Sequence, residues 1–172
     1  MTEHLPVEVT SLDRYDNDTL PWDRARAALA GSTGADITWF LGTVRPDGRP
    51  HAAGVGAIWC DGALHFTTGP GARKTRNLSA NPNCTVSVRL DGIDLNLEGT
   101  AHRVTDAATV ERVAALYAEH GWPASAEGDT ITAPYSAPSA GPAPWHLYRF
   151  SMRVAFGVAT AEPYGATRWR FA

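Results

Sequence analysis

Three Asp-Gly pairs, Asp47-Gly48, Asp61-Gly62 and Asp91-Gly92, each stand between two runs rich in β-branched and aromatic residues. Asp-Gly suits a tight hairpin turn because such turns need residues that tolerate positive φ. Three of them commit much of the chain to antiparallel ladders. The first is strengthened by Pro46, which pre-sets φ ahead of the glycine. Around these turns the sequence predicts strands at Ile37–Val44, Arg49 to about Trp59, Ala63–Thr68, Cys84–Leu90 and Ile93–Val104, with Gly99 as a bulge. A further long strand, Trp145–Thr160, has a period of two. Its Phe150, Met152, Val154, Phe156 and Val158 are expected to face the interior, and Arg149, Ser151 and Arg153 to face outward. Thr167–Phe171 can add a short edge strand. At least six strands joined mainly by hairpins predict a mainly β chain, an antiparallel barrel whose closure removes most sheet edges.

Three short helices are expected at the periphery. Thr19 can cap the first, with Pro21 in its first turn and a stop at Gly31. A basic helix follows Gly69-Pro70-Gly71 and ends before Asn81-Pro82. The third runs from Asp106 to His120, capped by Thr105. Val110, Val113, Ala114 and Tyr117 form its apolar stripe, His120 complements its dipole and Gly121 ends it. The first 18 residues read as a polar arm and Ser32–Asp36 as a loop. Trp122–Pro144, rich in Ala, Pro, Ser and Gly, has no period and reads as a long loop, either a connector or a substrate-side lid carrying Tyr135.

A length of 172 residues fits one domain. A net charge of −3 argues against general nucleic-acid binding, so any basic cluster is local. No apolar run approaches the roughly 20 residues of a membrane helix, and the N-terminus lacks a secretory pattern, so a cytoplasmic location is expected. Cys60 and Cys84 read as small buried hydrophobes and not as a disulfide framework. The histidines show no metal-ligand spacing, and no metal site is expected.

The basic cluster is Arg73, Lys74 and Arg76, with Asn77 beside them; Lys74 is the only lysine in the chain. A helix start offers free N–H groups and partial positive charge, which suits an anion. Arg73, Arg76 and Asn77 share one helix face by spacing. On the preceding strand Ala52, Gly54 and Gly56 fall on one face. Glycine weakens a strand and marks either a bend or the close approach of a ligand. A bare strand beside an anion-binding helix start fits a flat ring with a phosphate tail.

The stretch GRPHAAGVGAIW, then LHFTTGPGARKTRNLSANP, then CTVSVRL, resembles the pyridoxamine 5′-phosphate oxidase-like flavin and deazaflavin binders. The nearest resemblance is to the actinobacterial branch that uses the deazaflavin coenzyme F420. It implies a six- to seven-stranded antiparallel split β-barrel and a cofactor at the interface of a homodimer. By this resemblance Ala52, Ala53, Gly54, Val55, Thr67, Thr68 and Gly69 line the ring and its chain. Arg73 and Lys74 take the phosphate, and Arg76 and Asn77 serve the longer anionic tail. Arg149, Ser151, Arg153 and the ATRWRF tail are candidates for the dimer interface. Pyridoxamine 5′-phosphate oxidases proper carry an arginine and a lysine on the second strand, where this chain has Ala53 and Ile58. Asp94 replaces a glutamine ahead of Glu98-Gly99. These departures favour F420 over FMN.

No hydrolytic or nucleotide-loop motif stands out, so the reactive group is expected to be borrowed from a cofactor. The chemistry implied is hydride transfer to an electron-poor conjugated small molecule. His51, His65 and Tyr135 are candidate proton donors, and Trp59 and Trp169 are candidates to flank the ring. Two alternatives stand beside this reading: an FMN-dependent oxidase or reductase, and a non-catalytic flavin or haem carrier.

Overall fold

A computed structural model of the chain describes residues 5–32 and 37–172. In chain order the elements are β1 (Glu8–Ser11), α1 (Trp22–Ala30), β2 (Trp39–Val44), β3 (Pro50–Val55), β4 (Ala57–Cys60), β5 (Ala63–Thr68) and α2 (Arg73–Ala80). They continue with β6 (Asn83–Leu90), β7 (Ile93–Val104), α3 (Ala107–Glu119), β8 (Ser125–Glu127), β9 (Thr130–Thr132), β10 (Trp145–Ala159) and β11 (Ala166–Arg170). All the strand pairings are antiparallel. The path β1-β11-β10-β7-β6-β2-β3 forms the main sheet, and β4, β5, β8 and β9 attach to it through β10. This is a split β-barrel with three outer helices, the architecture expected. Among the described residues the eleven strands exceed the six or seven anticipated because several are short.

The Asp-Gly turns form as their chemistry dictates. Gly48, Gly62 and Gly92 take φ of 83°, 74° and 71°, and Asp61 itself reaches 52°. The predicted second strand is broken at Gly56: β3 pairs with β2, and β4 folds back onto β5. That break leaves β3 at the end of the main sheet path.

β10 organises the molecule. β7 runs along one of its edges from Leu147 to Ala159, while the other edge is divided between β5 (His146–Phe150) and β11 (Val154–Val158). A bulge falls between Met152 and Val154, opposite Gly99 and Glu98. The extra residue, Arg153, belongs to β10, so the bulge expected on the Gly99 strand sits on its partner. Gly99 makes it possible, since a Cβ there would overlap the Ser151 carbonyl oxygen. The bulge also reverses the alternation. Phe150 faces the core, but beyond Arg153 the buried residues are Ala155, Gly157 and Ala159, and Val158 is exposed.

The barrel interior holds Leu41, Leu64, Phe66, Val86, Leu97, Phe150 and Trp169. A second core packs α3 through Val110, Val113, Ala114 and Tyr117 against Ile58, Cys60 and Leu147. Three boundaries shift from the sequence reading. α1 is preceded by Pro21 with no side-chain cap, so Thr19 is not its cap. α3 is capped by Asp106, whose carboxylate accepts from the Thr109 N–H at 2.9 Å. The polar arm contributes β1, tied to β11 by its ladder and by Glu8 bonding Arg168 and Arg170 at 3.0 Å each. Residues 1–4, and 33–36 of the predicted loop, lie outside the described residues. We expect Asp106→Ala to lower stability through loss of the N-cap, read as a urea midpoint below that of the wild type.

Candidate functional site

Two features meet where β3 ends. The first is the start of α2. Its N-cap is Ala72, which offers no side-chain acceptor, so the first-turn N–H groups are not capped by a side chain. The loop before it is held from within. Thr75 donates to the Gly69 carbonyl at 2.7 Å and meets the Thr68 hydroxyl at 3.1 Å, and Arg76 donates to the Gly71 carbonyl at 2.9 Å. Asn77 is buried and donates to the Thr43 hydroxyl at 2.9 Å. Thus Arg73, Arg76 and Asn77 do not form one ligand-facing row. Arg76 and Asn77 fix the helix to the loop and to β2, leaving Arg73 and Lys74 for a ligand.

Lys74 is half-buried with no hydrogen-bond or ion-pair partner among the described residues, and burial pulls its ammonium below the ordinary lysine range. Arg73 is exposed and likewise has no carboxylate partner among them. His51 on β3 is held below the usual histidine range, first by burial and then by the charges of Arg45, Arg73 and Lys74. Arg45 has a buried Nε with no partner in the structure. Positive charge therefore converges beside β3; Asp47, bonded to Arg49, is the acid near Arg45, and Arg73 and Lys74 have no acidic partner among the described residues, which suits an anionic ligand.

The second feature is the surface beside that charge. Ala52, Gly54 and Gly56 are exposed, and a Cβ on either glycine would meet nothing within 4 Å. Ala53 and Val55 are half-buried. At Gly56 the strip opens into a cavity of about 440 Å³, walled by Gly56, Thr67, Tyr117, His120, Trp122 and Tyr135 among others. Tyr117 donates to the Gly56 carbonyl at 3.0 Å and is fully engaged there. Trp122 donates to the Tyr135 carbonyl at 2.7 Å, and the Tyr135 hydroxyl donates to the Gly121 carbonyl at 3.3 Å. The segment 122–144 is therefore neither a free connector nor structureless. It carries the β8–β9 hairpin and a wall of the cavity. A bare strip, an unpaired cation cluster and a cavity at the strip's end fit a flat cofactor with an anionic tail.

The other predicted residues fall elsewhere. His65 is buried in β5 and does not line this cavity. Trp169 is fully buried, 5.4 Å from the Trp22 ring, and Gly157 leaves room for it: a Cβ there would lie 2.7 Å from its ring. It is a core residue and does not flank a ring within this chain. Trp59 is partly buried against the same core. Thr68 and Gly69 support α2, whereas Thr67 faces the cavity. His120 was legible only as a helix end; its place on the cavity wall follows from α3 ending beside Gly56, a contact distant in sequence.

The fold and this arrangement define a class. The family profile described as pyridoxamine 5′-phosphate oxidase matches residues 25–139, and the chain belongs to this family of flavin-binding oxidoreductases. Among solved structures it is similar to a conserved hypothetical protein from Mycobacterium tuberculosis, with TM-score 0.60 and 19% identity over 83% of this chain and 86% of that one. It is similar to a pyridoxamine 5′-phosphate oxidase-related, FMN-binding protein from Nostoc punctiforme, with TM-score 0.58 and 18% identity over 88% and 91% of the two chains. It is also similar to an F420 reductase, with TM-score 0.53 and 22% identity over 76% and 94%. At these identities the likeness is one of fold. No curated protein matches the chain. Among the described residues no helix is long and apolar enough to cross a membrane.

Proposed function

We propose that this chain is an F420-dependent reductase acting on an electron-poor conjugated small molecule. The observation that carries this reading is Lys74: a half-buried ammonium with no partner among the described residues, in the first turn of a helix whose N-cap supplies no acceptor. Arg73, Lys74 and the α2 N–H groups would hold phosphate, and Arg45 and His51 extend the positive field along a longer acidic tail. The tricyclic ring would lie on Ala52, Gly54 and Gly56. When bound, the reduced deazaflavin supplies hydride from its central ring. The chain's part is to hold the ring and substrate in contact and to keep water from the reacting faces.

F420 is favoured over FMN by β3 and β4. Ile58, where the oxidases proper have a lysine, is buried against α3, and Ala53 brings no charge to the strip. The remaining cations lie around the α2 start, where a multiply charged tail uses more of them than a single phosphate does.

The sheet's outer face supports a homodimer. Phe40 and Val158 are each 52% exposed, and a cross-strand row Phe40, Ser87, Asn96, Phe156 runs between them. Arg149, Ser151 and Arg153 are exposed as the sequence predicts, and beyond the bulge at Arg153 it is Val154, Phe156 and Val158 that turn outward.

Titration of purified protein into F420, followed by the coenzyme's fluorescence, is expected to give a dissociation constant in the micromolar range or tighter, roughly −8 kcal/mol. A protein that purifies yellow with FMN and leaves deazaflavin fluorescence unchanged overturns the proposal.

A further inference from the structure

The cavity at the end of the β3 strip has a chemistry distinct from the cation cluster. At about 440 Å³ it is within the roughly 300–1,000 Å³ of small-molecule sites. Among the described residues no Asp, Glu, Lys or Arg lines it. Both phenols on its wall already spend their protons on backbone carbonyls, Tyr117 on Gly56 and Tyr135 on Gly121. Burial pushes the Tyr117 hydroxyl up, so it stays neutral. The groups left to meet a ligand are the Trp122 ring, the Thr67 and Ser136 hydroxyls and the His120 imidazole, whose side chain makes no hydrogen bond among the described residues.

We infer that this cavity is the substrate bay, and that it takes an uncharged, flat, conjugated ring bearing a carbonyl and excludes phosphorylated compounds. A phosphate or sulfonate placed here would lose its hydration and gain no cation, a cost a neutral ring does not meet. A neutral ring buries its faces against Trp122, Ala57 and Ile58, and its carbonyl oxygen accepts from Thr67 or His120. The Trp122–Tyr135 bond holds the wall in place before the ligand arrives. As a statement about substrate, this inference rests on the deazaflavin reading; as a statement about the cavity, it does not.

The test is binding, measured by quenching of tryptophan fluorescence in the full chain. The probes are 2-methyl-1,4-naphthoquinone, its 3-sulfonate and pyridoxal 5′-phosphate. The neutral quinone is expected to quench saturably, the two anions at least tenfold more weakly. Ala137→Phe, which fills the bay from its exposed loop, should weaken the quinone at least tenfold while leaving the thermal midpoint unchanged. Equal binding of quinone and sulfonate, or quinone binding untouched by Ala137→Phe, overturns the inference. Displacement of the quinone by F420 also overturns it, because the bay would then hold the cofactor's ring. F420 failing to bind while the quinone binds selectively removes the cofactor proposal and leaves the bay's selectivity standing.

Discussion

Lys74→Ala is expected to weaken F420 binding by about 1.5–3 kcal/mol, the scale of a hydrogen bond to a charged group, or roughly 10- to 150-fold in the dissociation constant. The argument does not depend on counting positive residues. Arg76 is equally basic, yet it bonds the Gly71 carbonyl and holds the loop. Lys74 differs because its ammonium is drawn partly out of water with no acid to receive it, and its affinity for a proton falls accordingly. A bound phosphate restores the missing partner. Lys74→Arg should keep most of the affinity, and the wild-type constant should rise with salt, as screening weakens the attraction of the whole cluster. Lys74→Ala should leave the unfolding midpoint near its wild-type value, since no hydrogen bond or ion pair among the described residues is lost. Unchanged F420 affinity in this variant would remove α2 from the cofactor site.

The second large effect concerns pH. His65 is buried between the barrel and α3, and burial first, then the Arg149 charge, lowers its pKa to about 4. Its Nδ1 has no hydrogen-bond partner in the structure. The unfolded chain takes up this proton near pH 6.5, whereas the native chain resists until about pH 4. Between those values the unfolded state binds more protons, so stability falls as pH falls. The loss amounts to about 3 kcal/mol from pH 7 to pH 4. His51 and His146, also held low by burial first, add in the same direction. The exposed carboxylates held low by arginine or backbone partners, such as Asp47 and Asp94, lose their protection only at still lower pH. Urea midpoints from pH 7 to pH 4 should show the decline, and His65→Leu should flatten most of it. A wild-type profile level across that range refutes this account.

Much of the fold was readable because its determinants are local. An Asp-Gly pair states its own turn, and the α3 stripe and the Gly121 stop are set within a few residues. The basic start of α2 and the bare face of β3 were readable for the same reason. What escaped depends on partners distant in the chain. The bulge at Arg153 exists because Gly99, on another strand, leaves space for it, and no period within β10 foretells the reversal. β1 is an ordinary polar segment until β11 lies beside it. Trp169 was expected to flank a ring; the barrel interior and Gly157 decide otherwise. Arg76 and Asn77 matched the ligand pattern by spacing but turned to carbonyl and hydroxyl partners that only folding supplies. His120 shows the opposite error, a helix-end residue brought to a cavity wall by tertiary placement alone.

The divided edge of β10 has a mechanical consequence. β5 lets go after Phe150 and β11 takes hold at Val154, so Ser151–Arg153 form a seam where neither strand pairs and the Phe171 N–H donates to the Arg153 carbonyl at 2.8 Å. Strain applied to the N-terminal strap and β11 therefore has no direct ladder into β5 and must travel through the β7–β10 spine. Loosening the strap should speed deuterium uptake in β11 while the amides of β5 keep their wild-type rates, so that one end of the molecule can fray without unsettling the end where α2 begins.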